Sequence, residues 1–277
     1  MLQRVAILYN PFTEAAVTRS AELEVWLRAR GISVWRGVSQ EAREQIQALA
    51  DADLMVAMGG DGTVLRAARL CIPLGIPVLA VALGHLSFMA EVQPEELYVG
   101  MEQLMQGGGW HDERTLISAT LYREGKQIAT YTALNEVVIS RSEVARALNV
   151  HVSVDGSPLT TYHADGVIVA TATGSTAYAM AAGGPIVDPR SRSLVLVAVA
   201  PHLSVVPSMV LHDDAVVGLR LGRHHHANLA VDGRENVPIH EDDELVVRRS
   251  PTVCTFVRLR PSSQFYTHLV ARLRREG

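Results

Sequence analysis

The hydrophobic and polar positions of this chain follow two patterns, and one gives way to the other near residue 110. In the first part, short continuous apolar runs alternate with segments whose apolar residues recur every three or four positions. Such runs are typical of buried parallel strands, and such segments of amphipathic helices. The runs predict strands at 5–9, 32–35, 54–58 and 76–81, and the segments predict helices at 14–30, 40–50, 64–70 and 94–105. This alternation predicts a doubly wound α/β domain that binds ligands at the carboxyl ends of its strands.

The second part consists of shorter alternating segments separated by turn residues such as Asp155-Gly156 and Asp232-Gly233. Alternation with a period of two predicts half-buried strands, and these turns favour hairpins. The predicted strands lie at 116–122, 128–140, 149–154, 157–162, 167–170, 216–221, 227–231, 245–249 and 252–259. We therefore predict an α/β domain over 1–107, a mostly antiparallel, β-rich domain over 108–260, and a tail, 261–277, whose helix at 264–275 packs back on the first domain.

The composition removes several classes of function. The chain is 48% hydrophobic and 19% charged, as expected for a globular protein with a sizeable core, and its formal net charge is −4. A negative charge gives no long-range attraction to nucleic acid or to an anionic membrane. No apolar run approaches the roughly 20 residues of a membrane span, and the first residues lack a signal-peptide pattern. We expect a soluble, cytoplasmic protein without nucleic-acid or membrane partners.

Two residue types constrain the chemistry further. Cys71 and Cys254 are the only cysteines and lack CxxC spacing, so we expect buried thiols in a reducing compartment. Lys126 is the only lysine and lies in a predicted hairpin turn. Without a GxxxxGK[ST] motif or a lysine on a strand, P-loop and protein-kinase mechanisms are excluded.

The segment Gly59-Gly60-Asp61-Gly62-Thr63 lies between a predicted buried strand and an amphipathic helix. A glycine-rich turn leading into a helix presents backbone N–H groups and the positive end of the helix dipole, which suits phosphate. The Asp61 carboxylate would repel that phosphate unless a metal ion or a reacting hydroxyl lay between them. The motif therefore indicates phosphoryl transfer. Arg66 and Arg69 could supply positive charge, although a solvated helix face is the alternative for Arg69.

A second segment, 163–186, contains a buried strand, a loop of small hydroxyl residues and a predicted short helix at 176–182. Ser and Thr hydroxyls with flanking N–H groups can bind the edge of an adenine, and Tyr178 could stack on or border a ring. The alternative is ordinary turn chemistry, with Ser175 as a helix cap.

Asn135-Glu136 interrupts an otherwise apolar stretch. Burying such a pair is unfavourable unless the polar groups find partners, so their presence in a strand points to a ligand. An amide can bind adenine or ribose, and a carboxylate can accept hydrogen bonds from a ribose diol. The alternative is a pair at the edge of a strand that faces water.

These motifs, in this order, resemble the NAD kinase family. The resemblance rests on Gly59–Thr63, Leu134–Val138, Asp165-Gly166 with Thr173–Tyr178, and Gly183–Ile186, and it also takes in Gly84–Phe88. It runs from about residue 53 to residue 260. The GGDGT motif is shared with diacylglycerol, sphingosine and 6-phosphofructokinase relatives, whereas the TGSTAY and GGPI segments are far more specific.

The resemblance implies a phosphofructokinase-like, doubly wound α/β domain followed by a β-rich domain. It implies transfer of the ATP γ-phosphoryl group to the 2′-hydroxyl of the NAD adenosine ribose, giving NADP. Mg²⁺ is expected as the partner of ATP rather than in a dedicated protein cage, and polyphosphate remains open as a donor. A homodimer or homotetramer with an NAD site shared between subunits is also implied.

The resemblance also assigns residues. Asp61 would lie near the 2′-hydroxyl as the catalytic residue, and since aspartate is a weak base it would orient the hydroxyl, accept its proton late or help to hold the metal. Phosphates would contact Gly59, Gly60, Gly62 and Thr63, with Arg66 as a further phosphate-binding residue. NAD would contact Phe88, Asn135, Glu136, Thr173, Ser175, Thr176, Ala177 and Tyr178, and Asp165 would come from a neighbouring subunit.

Two positions depart from the family pattern. Ser87 stands where glycine is usual before the phenylalanine, and Ala82 lies near a frequent asparagine. The first could narrow the adenine pocket or shift a turn. Two other functions stay open at this stage: a lipid kinase of the same superfamily, and a non-catalytic NAD-binding regulator. His224-His225-His226 predicts a turn or loop, because neighbouring strand residues point to opposite faces and make a poor chelate.

Overall fold

The apolar runs near the amino terminus form a parallel sheet in the computed structural model, which describes residues 2–44, 46–83, 87–142, 147–202, 206–222 and 225–274. The chain divides into two units, Met1–Glu113 with Cys254–Gly277, and Arg114–Val253. The predicted domain borders, after 107 and after 260, lie a few residues from these divisions.

The first unit alternates strands and helices. Its strands are β1 (Arg4–Tyr9), β2 (Ser33–Gly37), β3 (Leu54–Gly59) and β4 (Val78–Ala82). Its helices are α1 (Glu14–Arg28), α2 (Ser39–Glu44), α3 (Ile46–Leu49), α4 (Asp61–Cys71) and α5 (Leu97–Met105), with single 3₁₀ turns at Ile72–Leu74 and Pro94–Glu96. All neighbouring pairs of these strands are parallel, in the order β2-β1-β3-β4. The predicted doubly wound α/β fold is confirmed.

The position of β3 explains where a ligand would bind. From β1 the chain goes first to β2 on one side and then, through α2 and α3, to β3 on the other side. The strand order therefore reverses between β1 and β3. Doubly wound sheets bind ligands at the carboxyl ends of the strands beside such a reversal. Every residue of β3 is buried, which fixes its end, Gly59, at this point.

The second unit is built almost entirely of strands. They are β5 (Trp110–Arg123), β6 (Lys126–Ala133), β7 (Glu136–Arg141), β8 (Leu148–Val154), β9 (Ser157–Ala164), β10 (Gly166–Thr171), β11 (Leu194–Val199), β12 (Met209–Leu211), β13 (Val217–Leu221), β14 (Ala227–Val231), β15 (Arg234–Ile239) and β16 (Glu244–Arg258). A 3₁₀ turn (Gly174–Thr176) and a short helix, α6 (Tyr178–Ala181), follow β10. The first residues of β5 and the last of β16 belong to the first unit, which ends with a 3₁₀ turn (Ser262–Gln264) and α7 (Phe265–Leu273).

Two groups of antiparallel strands make up the second unit. One is a six-stranded sheet in the order β12-β11-β10-β7-β14-β15. The other joins β16, β13, β8 and β9, with β5 paired to both β16 and β6. Val137 and Leu194 of the first group and Val150, Leu219 and Leu245 of the second lie in one buried cluster. Because the two sheets share this core, the predicted antiparallel, β-rich domain is confirmed.

The sequence pattern misplaced several boundaries in the second unit. The stretch 128–140 is two strands, because the Asp232 carboxylate accepts the N–H groups of Leu134 and Asn135 and so interrupts the ladder. The segments 245–249 and 252–259 form the single strand β16. The strands β11, β12 and β15 were not predicted, although β11 is a continuous apolar run.

The helix predicted at 40–50 is helical over the residues described there, Ser39–Glu44 and Ile46–Leu49. Another predicted helix is different in the structure. The helix predicted at 176–182 is the 3₁₀ turn followed by α6, because the backbone of Ala177 between them has φ −104° and ψ −128°, outside the helical region.

The two cysteines, the lengths of the helices and the turn before Lys126 complete the description of the fold. Cys71 and Cys254 are both buried and form no disulfide in the described residues, and burial raises the pKa of the Cys71 thiol. No helix of the described residues is long and apolar enough to cross a membrane. The predicted turn before Lys126 is confirmed, with Glu124 and Gly125 both at positive φ between β5 and β6.

A buried cluster of charges lies in the first unit. The Arg258 Nε donates to Asp112 Oδ2 at 3.0 Å, and its Nη1 donates to Glu91 Oε2 at 3.3 Å. All three residues are at most 8% exposed. Buried ions are tolerated only when they are paired and hydrogen-bonded, so this cation and its two anions depend on one another.

Replacing Arg258 by Leu should lower the free energy of unfolding by about 3–5 kcal/mol, because it leaves two buried carboxylates without their cation. Urea unfolding followed by circular dichroism measures this loss. Arg4→Leu is the matched control, since Arg4 pairs with Asp51 on the surface at 2.6 Å and exposed pairs contribute less than about 1 kcal/mol. Equal losses for the two variants would contradict the prediction.

Candidate active site

The glycine motif forms the start of helix α4. Gly60 is extended and precedes the helix, and its carbonyl accepts the N–H groups of Thr63 and Val64 at 2.8 and 3.2 Å. The motif was predicted as a turn ahead of the helix, but Asp61, Gly62 and Thr63 already form the first helical turn. The N-terminal N–H groups of α4 therefore lie at the carboxyl end of β3, where an anion would meet them.

Gly59 is required by a close approach. A Cβ atom at this position would lie 2.5 Å from Thr63 Oγ1 and 3.3 Å from the Asn10 Cβ. The first contact is shorter than any real Cβ contact, so a larger residue would displace Thr63. The absence of a side chain at Gly59 is what lets α4 begin directly against the end of the strand.

Asp61 is held by three hydrogen bonds from one short segment of chain. Its Oδ1 accepts the Ser87 hydroxyl at 2.5 Å and the Met89 N–H at 3.2 Å, and its Oδ2 accepts the Phe88 N–H at 3.0 Å. A carboxylate in the first turn of a helix is also stabilised by the helix dipole. The orientation of the Asp61 carboxylate is therefore fixed, although this side chain lies at the end of a helix.

The cation on the following turn of α4 is directed at this motif. The Arg66 Nη2 donates to Thr63 Oγ1 at 3.2 Å, and partial burial lowers the pKa of the guanidinium from a very high value. Arginine remains charged at any physiological pH. Thr63 and Arg66 are therefore placed together beside the helix start, as the phosphate-binding prediction requires, and their roles stay predictions.

In the second unit, one carboxylate organises the segment that contains Asn135 and Glu136. Asp232 Oδ2 accepts the Leu134 N–H at 3.0 Å, and Asp232 Oδ1 accepts the N–H groups of Asn135 and Glu136 at 2.7 and 3.3 Å. Asp232 has a positive φ of 49° in the turn between β14 and β15. The sequence predicted this turn. It did not predict that the Asp232 carboxylate would bind the backbone at the start of β7, which is distant in the sequence.

The loop after β10 packs directly against the same segment. The Thr171 hydroxyl donates to the Leu134 carbonyl at 2.6 Å and accepts the Gly174 N–H at 3.0 Å. A Cβ on Gly174 would lie 2.1 Å from the Asn135 carbonyl oxygen, so only glycine permits this approach. The Asn-Glu segment and the hydroxyl-rich loop, far apart in sequence, thus form one cluster.

Asn135 and Glu136 are both buried, at 7% and 5% exposure, so the alternative of a strand-edge pair facing water is wrong. Within the described ranges, Asn135 Oδ1 and Glu136 Oε2 are buried atoms without a hydrogen-bond partner. Buried polar atoms are normally satisfied, so an unsatisfied pair on neighbouring residues calls for an explanation. A ligand with hydrogen-bond donors would satisfy both.

The environment of Glu136 changes its protonation. Burial, and secondly the negative charge of Asp232, raise the pKa of the Glu136 carboxyl to about 8, although a hydrogen bond from the Tyr178 backbone opposes the shift. At neutral pH this carboxyl therefore carries a proton. A protonated carboxyl can both donate and accept, which suits a ligand edge that offers both functions.

The hydroxyl-rich loop uses its side chains differently. Thr173 Oγ1 accepts Arg114 Nη1 at 3.2 Å, and the Thr176 hydroxyl donates to the Thr173 carbonyl at 3.2 Å. Tyr178, at 44% exposure, presents its ring at the surface of this cluster. Ala177 joins the 3₁₀ turn to α6, and its partial exposure leaves its small side chain at the same surface.

Ser175 is not a helix cap. It lies inside the 3₁₀ turn and is fully buried, and its hydroxyl donates to the Ala172 carbonyl at 2.7 Å and accepts the Val187 N–H at 3.0 Å. This hydroxyl therefore ties the loop to the chain twelve residues further on. Its contact with NAD stays a prediction.

Asp165 lies apart from the other predicted residues of its unit. It precedes β10, at the opposite end of that strand from Thr173, and about 20 Å of strand separates the two at 3.3 Å per residue. Its carboxylate pairs with Arg141 at 3.2 Å. Within one chain, Asp165 and the Thr173 loop are thus remote, as expected if Asp165 serves a neighbouring subunit.

One group of three side chains in the described ranges could hold a metal ion, namely His212, Asp213 and Asp214, on the surface of the second unit. A hydrogen bond to Asp214 raises the pKa of His212. The group is not part of either cluster described above. His224 lies outside the described residues, and His225 and His226 precede β14 without helix or strand structure.

Three residues with contacts in the candidate site were not predicted from the sequence. Ser87 was noted only as a departure, Asp232 only as a turn residue, and Arg114 not at all. Asp232 had a usable signal, because Asp at a turn often directs its carboxylate to backbone N–H groups. Nothing near Arg114 in the sequence indicates its partner, Thr173, which is 59 residues away.

Comparison with known proteins gives the class of protein. The ATP-NAD kinase N-terminal domain matches residues 12–109, and the ATP-NAD kinase C-terminal domain matches residues 134–259. Among solved structures, yeast NADH kinase complexed with NADH superposes with a TM-score of 0.84 at 23% identity, over 98% of this chain and 88% of that one. An NAD kinase from Archaeoglobus fulgidus in complex with ATP gives 0.78, also at 23% identity, over 98% and 99%. The fold is thus that of the NAD and NADH kinases.

Closer relatives are found among sequences. The chain is 70% identical to an NAD kinase of Chloroflexus aggregans, over 99% of this chain and 100% of that protein. It is 38% identical to an NAD kinase of Dehalococcoides mccartyi, over 99% and 97%. This chain belongs to the NAD kinase family. The resemblance stated from the motifs is therefore confirmed.

The raised pKa of Glu136 predicts a pH-dependent stability. Between its ordinary value of 4.5 and about 8, the folded protein keeps a proton that the unfolded chain has lost. The free energy of unfolding should therefore fall as pH rises through this window, by up to about 1.4 kcal/mol per pH unit. Glu136→Gln removes the titrating proton and should flatten this dependence.

Urea unfolding of wild type and Glu136→Gln at pH 5, 6, 7 and 8 tests this prediction. The exposed Glu95→Gln is the matched control and should follow the wild type. Parallel curves for wild type and Glu136→Gln would show that Glu136 does not titrate in this range.

Proposed function

We propose that this chain transfers the γ-phosphoryl group of ATP to the 2′-hydroxyl of the adenosine ribose of NAD, giving NADP and ADP. Membership of the NAD kinase family supports this activity, as do the relatives of that name that match over the full chain. The solved relatives that bind NADH and ATP support binding of a nicotinamide dinucleotide and a nucleotide donor.

The observation that carries the proposal is the placement of Asp61. The N-terminus of a helix suits phosphate, but a carboxylate at that position repels phosphate. Such a carboxylate therefore has no use in passive phosphate binding. It is useful where a hydroxyl must be oriented towards a phosphorus atom. The three hydrogen bonds from Ser87, Phe88 and Met89 fix the carboxylate for this purpose before any substrate binds.

The second cluster suits the adenosine part of NAD. Asn135 Oδ1 and Glu136 Oε2 are buried acceptors that a ribose hydroxyl or an adenine amino group would satisfy. The protonated Glu136 carboxyl can in addition donate one hydrogen bond. The ring of Tyr178 offers a partly exposed apolar surface beside this pair.

The reaction needs positioning more than strong acid or base catalysis. The 2′-oxygen forms a bond to the γ-phosphorus while the bond from that phosphorus to the oxygen bridging it to the β-phosphate breaks, and ADP leaves. Asp61 orients the hydroxyl and accepts its proton as the new bond forms. The N-terminal N–H groups of α4 and the Arg66 guanidinium hold the phosphate oxygens.

We infer that Mg²⁺ accompanies ATP. Magnesium prefers oxygen ligands and is usually held by one or two carboxylates together with phosphates. Asp61 Oδ2, which accepts one hydrogen bond where Oδ1 accepts two, would fit such a partial set. When bound, Mg²⁺ supplies neutralisation of the negative charge on the phosphate oxygens. The family resemblance places Phe88 beside the adenine, and in this structure its backbone N–H donates to Asp61 Oδ2.

We further propose a homodimer or homotetramer in the cytoplasm. The remoteness of Asp165 from the Thr173 loop supports a site to which a second subunit contributes Asp165. Two buried cysteines that form no disulfide support a reducing compartment. Whether ATP or polyphosphate is preferred does not alter the roles given to these residues.

Replacing Asp61 by Asn should lower turnover by about 10²- to 10⁴-fold, because the amide cannot accept the proton of the hydroxyl. NADP formed from NAD, ATP and Mg²⁺ is measured with an NADP-specific dehydrogenase. Asp51→Asn is the matched control, since Asp51 is exposed and pairs only with Arg4 in the described ranges, and it should retain wild-type turnover.

The same assay separates the alternatives. Near-wild-type turnover of Asp61→Asn would contradict the assigned role. NAD binding without NADP from any phosphate donor would favour a regulator, and phosphorylation of diacylglycerol or sphingosine would favour a lipid kinase.

A further inference from the structure

We propose that Ser87 is a positioning residue for the phosphoryl transfer, which selects the oxygen of Asp61 that meets the acceptor hydroxyl. This inference rests on the proposed function. It starts from a side chain that the family resemblance marks only as a departure, at a position where glycine is usual. In this chain the hydroxyl of that side chain contacts the proposed catalytic carboxylate.

The direction of the Ser87 hydrogen bond follows from its second contact. The Ala90 N–H donates to Ser87 Oγ at 3.0 Å, so one acceptor site of the hydroxyl is occupied by a donor. The single hydroxyl proton then points to Asp61 Oδ1, 2.5 Å away. Because a carboxylate has no proton to offer when ionised, Ser87 must be the donor in this pair.

The hydrogen bonds divide unequally between the two carboxylate oxygens. Oδ1 accepts both the Ser87 hydroxyl and the Met89 N–H, whereas Oδ2 accepts only the Phe88 N–H. Each carboxylate oxygen offers about two acceptor sites. Among the described residues, Oδ1 is thus saturated, and Oδ2 keeps one site for the substrate hydroxyl or the metal.

The segment that carries Ser87 is itself anchored. The Arg258 Nη1 donates to the Met89 carbonyl at 3.1 Å and to Glu91 Oε2 at 3.3 Å. Glu91 Oε1 in turn accepts the backbone N–H of Leu259 at 2.9 Å. The buried charge cluster therefore holds residues 89–91 against the end of β16, and Ser87 acts from a fixed support.

A residue without a hydroxyl would leave the carboxylate with two backbone donors only, one on each oxygen. The two oxygens would then be equivalent in their partners, and rotation of the carboxylate would no longer be opposed by a third bond. Binding of NAD and ATP would be unaffected, whereas the fraction of complexes with a correctly oriented carboxylate would fall.

The test compares Ser87→Ala, which removes the hydroxyl, with Ser87→Thr, which retains it, in wild-type and Asp61→Asn backgrounds. Exposed Ser33→Ala is the matched control. For each variant, kcat and the KM values for NAD and ATP are measured separately. We expect Ser87→Ala to lower kcat about tenfold with both KM values within twofold of wild type, as the loss of one charge-assisted hydrogen bond implies.

Two further results are expected if Ser87 acts through Asp61. Ser87→Thr should recover most of the lost turnover. In the Asp61→Asn background, Ser87→Ala should change the residual rate less than about twofold. Unchanged kcat in Ser87→Ala, a change in KM alone, or the same tenfold loss in the Asp61→Asn background would each overturn the inference.

A second measurement does not depend on catalysis. The equilibrium constant for urea unfolding of Ser87→Ala, Asp61→Asn and the double variant, without nucleotides, gives the coupling between the two side chains, and we expect about tenfold. A coupling near unity in an enzyme that makes NADP would overturn this inference alone. A wild type that makes no NADP would overturn the proposed function, and with it the catalytic role of Ser87.

Discussion

The structure of the candidate site depends on how one carboxylate is held at the N-terminus of a helix. Asp61 receives hydrogen bonds on both oxygens from residues 87–89, so it has one orientation before any ligand arrives. That arrangement requires Gly59, because α4 must begin against the end of β3, and it requires the buried Arg258, which holds the chain just after Phe88. The carboxylate that we propose as catalytic and the residues that support it are thus parts of one packed unit.

In the second unit, a different carboxylate, that of Asp232, fixes a short segment of backbone. Asp232 accepts three backbone N–H groups at the break between β6, which ends at Ala133, and β7, which begins at Glu136. The side chains of Asn135 and Glu136 are left buried with acceptor atoms unsatisfied, which is unfavourable in the absence of a ligand. Under the proposed function, this local loss of stability is offset when the two atoms bind the nucleotide, and such local losses are common at functional sites.

The sequence predicted those features whose causes are local. Continuous apolar runs identified β1, β3 and β4, because strands buried on both faces must be apolar throughout. The motifs placed Asp61 and Asn135 in a site because their residue types are unusual for their surroundings.

Features that depend on distant partners could not be predicted in this way. Arg258 meets Asp112 across 146 positions, and Asp232 meets Asn135 across 97, so no window of sequence contains both partners. The break in the stretch 128–140 has the same origin, since its cause lies in another hairpin. Ser87 is a third case, because a serine among small residues looks the same whether or not its hydroxyl has a carboxylate to bind.

The most direct test of the central claim is the position of the transferred phosphate. NAD, ATP and Mg²⁺ are incubated with the protein, and the product is examined by two-dimensional phosphorus–proton correlation NMR. We predict a new phosphomonoester whose phosphorus couples to the H2′ proton of the adenosine ribose. Coupling to H3′ or to the nicotinamide ribose, or no new phosphomonoester, would contradict the account.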